Sequence, residues 1–182
     1  LVDMSASGAF GTRDKFKSEI TAEIAAVLAF SALKNNDKIG MIVFTDRIEK
    51  FIPPAKTRQN VLRIIREILF FKPAHKGTDI TVGLEYLNEV AKRKAVVFLL
   101  SDFIDTGYEK ALKITNKRHD LIAINISDPR EHQMPEVGLI ELEDAETGET
   151  AIIDTSDNDF RREFQARKNE EAASREKFFR VI

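Results

Sequence analysis

Apolar residues recur along this chain in two alternating rhythms. Phe16, Ile20, Ile24, Val27, Leu28 and Leu33 fall at helical spacing with alanines at 22, 25, 26, 29 and 32 between them. That period predicts a long helix whose small residues let it lie close against a sheet. Asn35-Asn36-Asp37 then supplies turn chemistry. Ile39 to Phe44 reads as a strand, and after the short step Asp46-Arg47 a second strand runs from Ile48 to Ile52, stopped by Pro53-Pro54. The gap suits a tight hairpin, so one of the two strands is antiparallel, and the proline-ended one belongs at a sheet edge.

Val61, Leu62, Ile64, Ile65, Ile68 and Leu69 form a second helical stripe, closed by Phe70-Phe71-Lys72-Pro73. A polar loop leads into a third helix with Leu84, Leu87 and Val90 as its core positions, capped by Thr78 or Asp79. Ala95 to Leu100 is apolar on both faces, as a strand covered by helices on both sides must be. A helix over Tyr108 to Arg118 follows, then Leu121 to Ile126 as another buried strand. A late β-hairpin over residues 139–153 turns through Asp144 to Glu149, and a charged helix over residues 157–180 carries Phe160 and Phe164 on one side. This alternation predicts a single α/β domain over residues 1–182. Its Rossmann-like open sheet is mostly parallel, with one antiparallel edge strand and helices on both faces. Ligands of such sheets sit beyond the carboxyl ends of the strands, where strand order reverses. The strands ending in Asp3 and in Asp102 are the expected neighbours at that reversal.

Composition narrows the classes. At 182 residues, 43% hydrophobic and 32% charged, the chain can bury a substantial core. Lysine plus arginine total 28 against 30 acids, so a net charge of -2 gives no case for nucleic acid or an anionic membrane surface. The absence of cysteine excludes disulfides, thiolate zinc sites and cysteine nucleophiles, and it fits a reducing compartment. No stretch approaches the roughly 18 apolar residues of a membrane span, so no membrane contact by this stretch is expected. Only Leu1 and Val2 precede Asp3, whereas strands usually run about five residues. The expectation is that the start of the first strand, and any region before it, is missing.

The polar residues at the predicted strand ends carry the chemistry. Asp3, Ser5 and Ser7 alternate, so an extended backbone points all three the same way. Carboxylate and hydroxyl oxygens together suit a small hard cation such as Mg²⁺. Taken alone, the triplet reads equally well as turn and capping chemistry. Thr78, before the third helix, and Asp102, at the end of the later strand, add oxygen donors on the same rim. Asp46 is read as a turn residue. His75, His119 and His132 stand in separate polar segments without metal or triad spacing, and all three are expected to be solvated. Neither G-x-x-x-x-G-K-[ST] nor G-x-G-x-x-G follows a strand, which argues against nucleotide binding, and no serine nucleophile elbow is present.

Asp3-Met4-Ser5-Ala6-Ser7, Thr78 in Lys76-Gly77-Thr78-Asp79, and Asp102 in Leu100-Ser101-Asp102 resemble the metal-ion-dependent adhesion site of von Willebrand factor A (vWA) domains. There a D-x-S-x-S motif, a threonine and an aspartate from three loops bind Mg²⁺ or Mn²⁺. The resemblance departs at Phe103, where the family commonly has glycine; Asp105 then either competes with Asp102 for the ion or supports it from behind. Within the vWA families the chain is similar to the bacterial domain-of-unknown-function-58 group that accompanies MoxR-type AAA+ ATPases. That similarity rests on Asp3 to Ser7, Gly77-Thr78-Asp79, Ser101-Asp102-Phe103, Asp128-Pro129-Arg130-Glu131 and the Asp144 to Gly148 turn. It implies a binding domain and not an enzyme, whose metal takes an acidic side chain from a protein partner, a MoxR-type ATPase being one candidate. It also implies a cytoplasmic position, tethered to a membrane by upstream segments. The rival readings are a Mg²⁺-dependent phosphoryl-transfer enzyme of the haloacid-dehalogenase type and a structural vWA domain with a non-functional metal site. The first needs a second acid two residues after Asp3, where Ser5 stands.

Overall fold

A computed structural model of the chain describes residues 1–5, 14–75, 77–127, 134–143 and 150–181. They belong to two compact units, Leu1–Ile126 and Ser127–Ile182. In the first unit the elements run β1 (Val2–Asp3), α1 (Asp14–Lys34), β2 (Ile39–Phe44), β3 (Ile48–Ala55), α2 (Arg58–Phe70), α3 (Ile80–Val90), β4 (Val96–Ser101), α4 (Glu109–Arg118) and β5 (Asp120–Asn125). The sheet order is β3-β2-β1-β4-β5. β1 pairs in parallel with both β2 and β4, β4 with β5 likewise, and only the edge strand β3 is antiparallel. Strand order reverses between β1 and β4, as the alternation of elements predicts.

Side-chain alternation along β2 explains the two helical layers. Met41 and Val43 point to one face, where they form a core with Ala22 and Ala25 of α1 and Ile64 and Ile68 of α2. Phe44 points to the other face and meets α3 at Gly83. The inward side of α1 is its alanine stripe, whereas Val27, assigned above to the apolar stripe, is 70% exposed.

β3 does not stop at the prolines. Pro53 and Pro54 lie inside it, because Ile39 pairs with Ala55 and Met41 with Ile52, so two residues of β3 oppose the single Gly40. This is a β-bulge, and an edge strand tolerates the missing N–H groups. Gly40 is needed opposite it: an added Cβ there would lie 2.7 Å from Ile52 O and 2.9 Å from Pro54 N. β5 also differs from expectation. It is the outer strand of the sheet, and Ile122 is 40% exposed rather than buried.

His119 is buried rather than solvated. It follows α4 as its C-cap, donating its backbone N–H to Thr115 O, and its side chain is only 3% exposed. The turn from α4 into β5 carries it into the core, beside the fully buried Thr115, which accepts a hydrogen bond from Asn88 Nδ2 at 2.7 Å. Neither ring nitrogen has a hydrogen-bond partner, nor does Asn88 Oδ1. Burial, and secondarily the charge of Arg118, holds the imidazole below its usual pKa. A histidine depressed in the folded state leaves stability unchanged above about pH 6.5 and lowers it as acid protonates the unfolded chain first. Urea unfolding at pH 7 and pH 5 is therefore expected to show a larger acid loss for the wild-type protein than for His119→Leu; equal losses would contradict this account.

The second unit contains β6 (Leu139–Glu143), β7 (Thr150–Asp154) and α5 (Asn158–Phe179). β6 and β7 form an antiparallel pair, and Thr155, fully buried, ties it off by donating from Oγ1 to Gly138 O and accepting from Val137 N. Asp157 caps α5 by accepting from Asp159 N and Phe160 N. Among the described residues no helix is long and apolar enough to cross a membrane.

Candidate functional site

The site grows out of the register at the sheet reversal. Leu100 N donates to Leu1 O and Met4 N to Phe44 O, both at 3.0 Å, so the backbone around Asp3 is held from both sides. Val2 pairs with Leu100, which sets Asp3 level with Ser101 and turns both side chains to the same face. Ser101 Oγ donates to Asp3 Oδ2 at 2.6 Å and accepts from Phe103 N at 3.0 Å. Asp3 Oδ1 accepts from Ser5 N at 3.0 Å. Ser101 is a site residue that motif reading passed over, although a hydroxyl at a strand end opposite Asp3 was a usable signal.

Asp102, 7% exposed, follows Ser101 and accepts from Ile104 N through Oδ1 at 3.1 Å. Phe103 between them takes φ +57°, the left-handed region that glycine enters without strain. The turn that the missing glycine put in question thus forms with phenylalanine. Burial of its ring, 5.9 Å from that of Tyr108, offsets a backbone cost of about 1–3 kcal/mol.

The second loop reaches the rim through the start of α3. Asp79 caps α3, accepting from Val82 N at 3.1 Å, and its own N–H donates to Thr45 O at 3.0 Å. Thr78, immediately before it, is partly buried. Asp105 accepts from Thr106 N through Oδ1 at 2.7 Å and from Ile80 N through Oδ2 at 2.8 Å. Asp46 occupies the β2–β3 turn, paired with Arg47 and accepting from Thr45 Oγ1. Ser7 lies outside the described residues, as do His132, Asp128 to Glu131 and the Asp144 to Gly148 turn.

Loss of hydration pushes the Asp3 carboxyl above its ordinary pKa, against the hydrogen bonds from Ser101 and Ser5, and the charge of Asp102 pushes it the same way. The two acids are therefore electrostatic neighbours, and among the described residues the hydrogen bonds on Asp3 come from hydroxyls and a backbone amide. Ser5 is itself buried, 6% exposed. Two repelling carboxylates among hydroxyls fit a hard divalent cation, which takes oxygen ligands and little protein charge. Among the described residues no group of three or more His, Asp or Glu side chains is placed to hold a metal.

The fold and this rim define an α/β protein of vWA-like architecture with an acid pair at the sheet reversal. Residues 1–174 match the family described as protein of unknown function DUF58, and the chain belongs to that family. Uncharacterized proteins of Mycobacterium bovis and Mycobacterium tuberculosis are each 29% identical over 151 residues, covering 81% of this chain and 48% of the relative. The chain thus spans about half the length of those relatives. Two solved structures share the fold. An aerotolerance-related membrane protein from Bacteroides fragilis, crystallised with multiple mutations to serine, has a TM-score of 0.59 at 15% identity, covering 93% of this chain and 85% of its own. The conserved hypothetical protein BatB from Bacteroides thetaiotaomicron has a TM-score of 0.55 at 14% identity, covering 93% and 84%.

Proposed function

We propose that this domain binds an acidic side chain of a protein partner through a divalent cation, Mg²⁺ or Mn²⁺, at the β1–β4 rim, and that it is a binding module and not an enzyme. The observation that carries this reading is the acid pair Asp3 and Asp102 at neighbouring strand ends, with Asp3 bonded to the hydroxyl of Ser101 and the backbone N–H of Ser5. Asp3, Ser5, Thr78 and Asp102 would hold the ion, with Ser7 from the adjoining segment. The bound cation would supply a coordination position open to a partner carboxylate. Ser101 keeps Asp3 aimed at the rim, and the buried Phe103 turn fixes Asp102.

The family membership supports a MoxR-type AAA+ ATPase as the partner. The solved neighbour described as a membrane protein supports a domain tethered to a membrane. Titration calorimetry with Mg²⁺ and Mn²⁺ tests the site: saturable binding is expected for the wild-type protein and none for Asp3→Ala combined with Asp102→Ala. Equal binding by both would sink the site, and metal-dependent phosphate-ester turnover abolished by Asp3→Ala would replace this reading with an enzymatic one. Binding of a purified MoxR-type ATPase is expected to vanish with EDTA.

A further inference from the structure

Asp105 stands where the sequence leaves open a rival to Asp102 as metal ligand or a support behind it, and its carboxylate is engaged with backbone. Both oxygens accept backbone N–H groups: Thr106 N at 2.7 Å, within its own loop, and Ile80 N at 2.8 Å, at the first residue of α3. The first N–H groups of a helix have no partner inside the helix, and the positive end of the helix dipole favours an anion there. Asp79 serves Val82 N from the same helix, whereas Asp105 serves Ile80 N across a separation of 25 residues.

We propose that Asp105 is a positioning residue that sets the distance between two metal-binding loops. On the chain it stands three residues after Asp102; its acceptor bond ends two residues after Thr78. The loop between Asp102 and Asp105 is short and internally braced, by Ile104 N on Asp102 Oδ1 and by the buried Phe103. A shift of α3 therefore passes to Asp102 through the Asp105 carboxylate, and a cation drawing on Thr78 and Asp102 finds them already spaced. This inference rests on the metal-binding reading above and adds which residue holds its parts in register. Outer supports of metal ligands typically contribute 10- to 100-fold in metal affinity.

The test compares Mg²⁺ titrations of the wild-type protein, Asp105→Ala, Asp105→Asn and Ile68→Val, together with amide exchange at Ile80. Asp105→Ala is expected to weaken Mg²⁺ binding roughly 10-fold or more and to speed exchange at Ile80. Asp105→Asn keeps one acceptor oxygen and is expected to restore part of both. Ile68→Val, which trims a buried side chain of the remote α2 core, lowers stability and is expected to leave Mg²⁺ affinity within about 2-fold, separating positioning from general loosening. Wild-type affinity in Asp105→Ala would overturn the inference alone. Complete loss of binding in both Asp105→Ala and Asp105→Asn would also overturn it, by making Asp105 a ligand. Failure of the wild-type protein to bind Mg²⁺ would remove the metal reading and this inference with it.

Discussion

Gly83→Ala is expected to lower the stability of this protein, although alanine is the better helix former. In an exposed helix interior the exchange gains about 1 kcal/mol. Here α3 presses Gly83 against Phe44, and an added Cβ would stand 2.8 Å from Cδ1, 2.9 Å from Cγ and 3.1 Å from Cε1 of that ring. Phe44 is fully buried, so its ring has no solvent side into which to swing. Overpacking of this kind costs about 1–3 kcal/mol, and the clash outweighs the propensity gain. The net loss is up to about 2 kcal/mol, a fall of up to several degrees in Tm.

The same substitution reaches the site. α3 is tied to the strand layer by Asp79 N on Thr45 O, one residue beyond Phe44, so a helix pushed outward shifts Thr78 and Asp79 relative to the strand ends. Mg²⁺ affinity should fall together with stability, and Phe44→Leu in the Gly83→Ala background should recover part of both, since the two residues share one contact and their effects do not add. A higher Tm for Gly83→Ala would show that the helix has room that the 2.8 Å approach denies.

How far such contacts can be read from a sequence differs by kind. The alternation of strands and helices was legible because the short continuous apolar run of Ile39 to Phe44 and the 3.6-residue period of Val61 to Leu69 separate cleanly, and with it the reversal between β1 and β4. The bulge at Pro53-Pro54 was not, because proline usually ends a strand and only the facing Gly40, 15 places from the bulged strand's end, makes room for it. His119 read as a solvated loop residue because the local pattern around it is polar. Its burial comes from the turn between α4 and β5, a tertiary fact.

The site shows the same division. Asp3, Ser5, Ser7, Thr78 and Asp102 were named from motif order and Asp105 as a rival or a support, whereas the Ser101 bond to Asp3 and the Asp105 bond to Ile80 N depend on register and on which helix end lies within reach. Phe103 marks the limit of motif reading. A missing glycine was a warning about backbone shape, yet the chain adopts φ +57° there all the same, because a buried aromatic ring offsets the strain.

Asp3→Asn is expected to make the metal-free protein less sensitive to pH and to remove its response to Mg²⁺. Loss of hydration and the Asp102 charge raise the Asp3 pKa in the folded state. The folded protein then holds a proton that the unfolded chain, with a carboxyl near 3.9, has already released. Stability must fall as pH rises from about 4 through the native value and level off above it, the reverse of an ordinary ion-paired aspartate. Asparagine carries no charge to expose, so its Tm curve should stay flatter across that window and lie at or above the wild-type curve at pH 7 without metal. Added Mg²⁺ should invert the order. Neutralising the two acids relieves the penalty, and at 100 times Kd the linkage adds about 2.7 kcal/mol to the wild-type protein, roughly 5–10 °C in Tm. The variant gains nothing from it. Parallel Tm curves for the two proteins across pH 4 to 8 would show that the charge on Asp3 is already compensated within the fold, and an equal Mg²⁺ response would place the cation elsewhere.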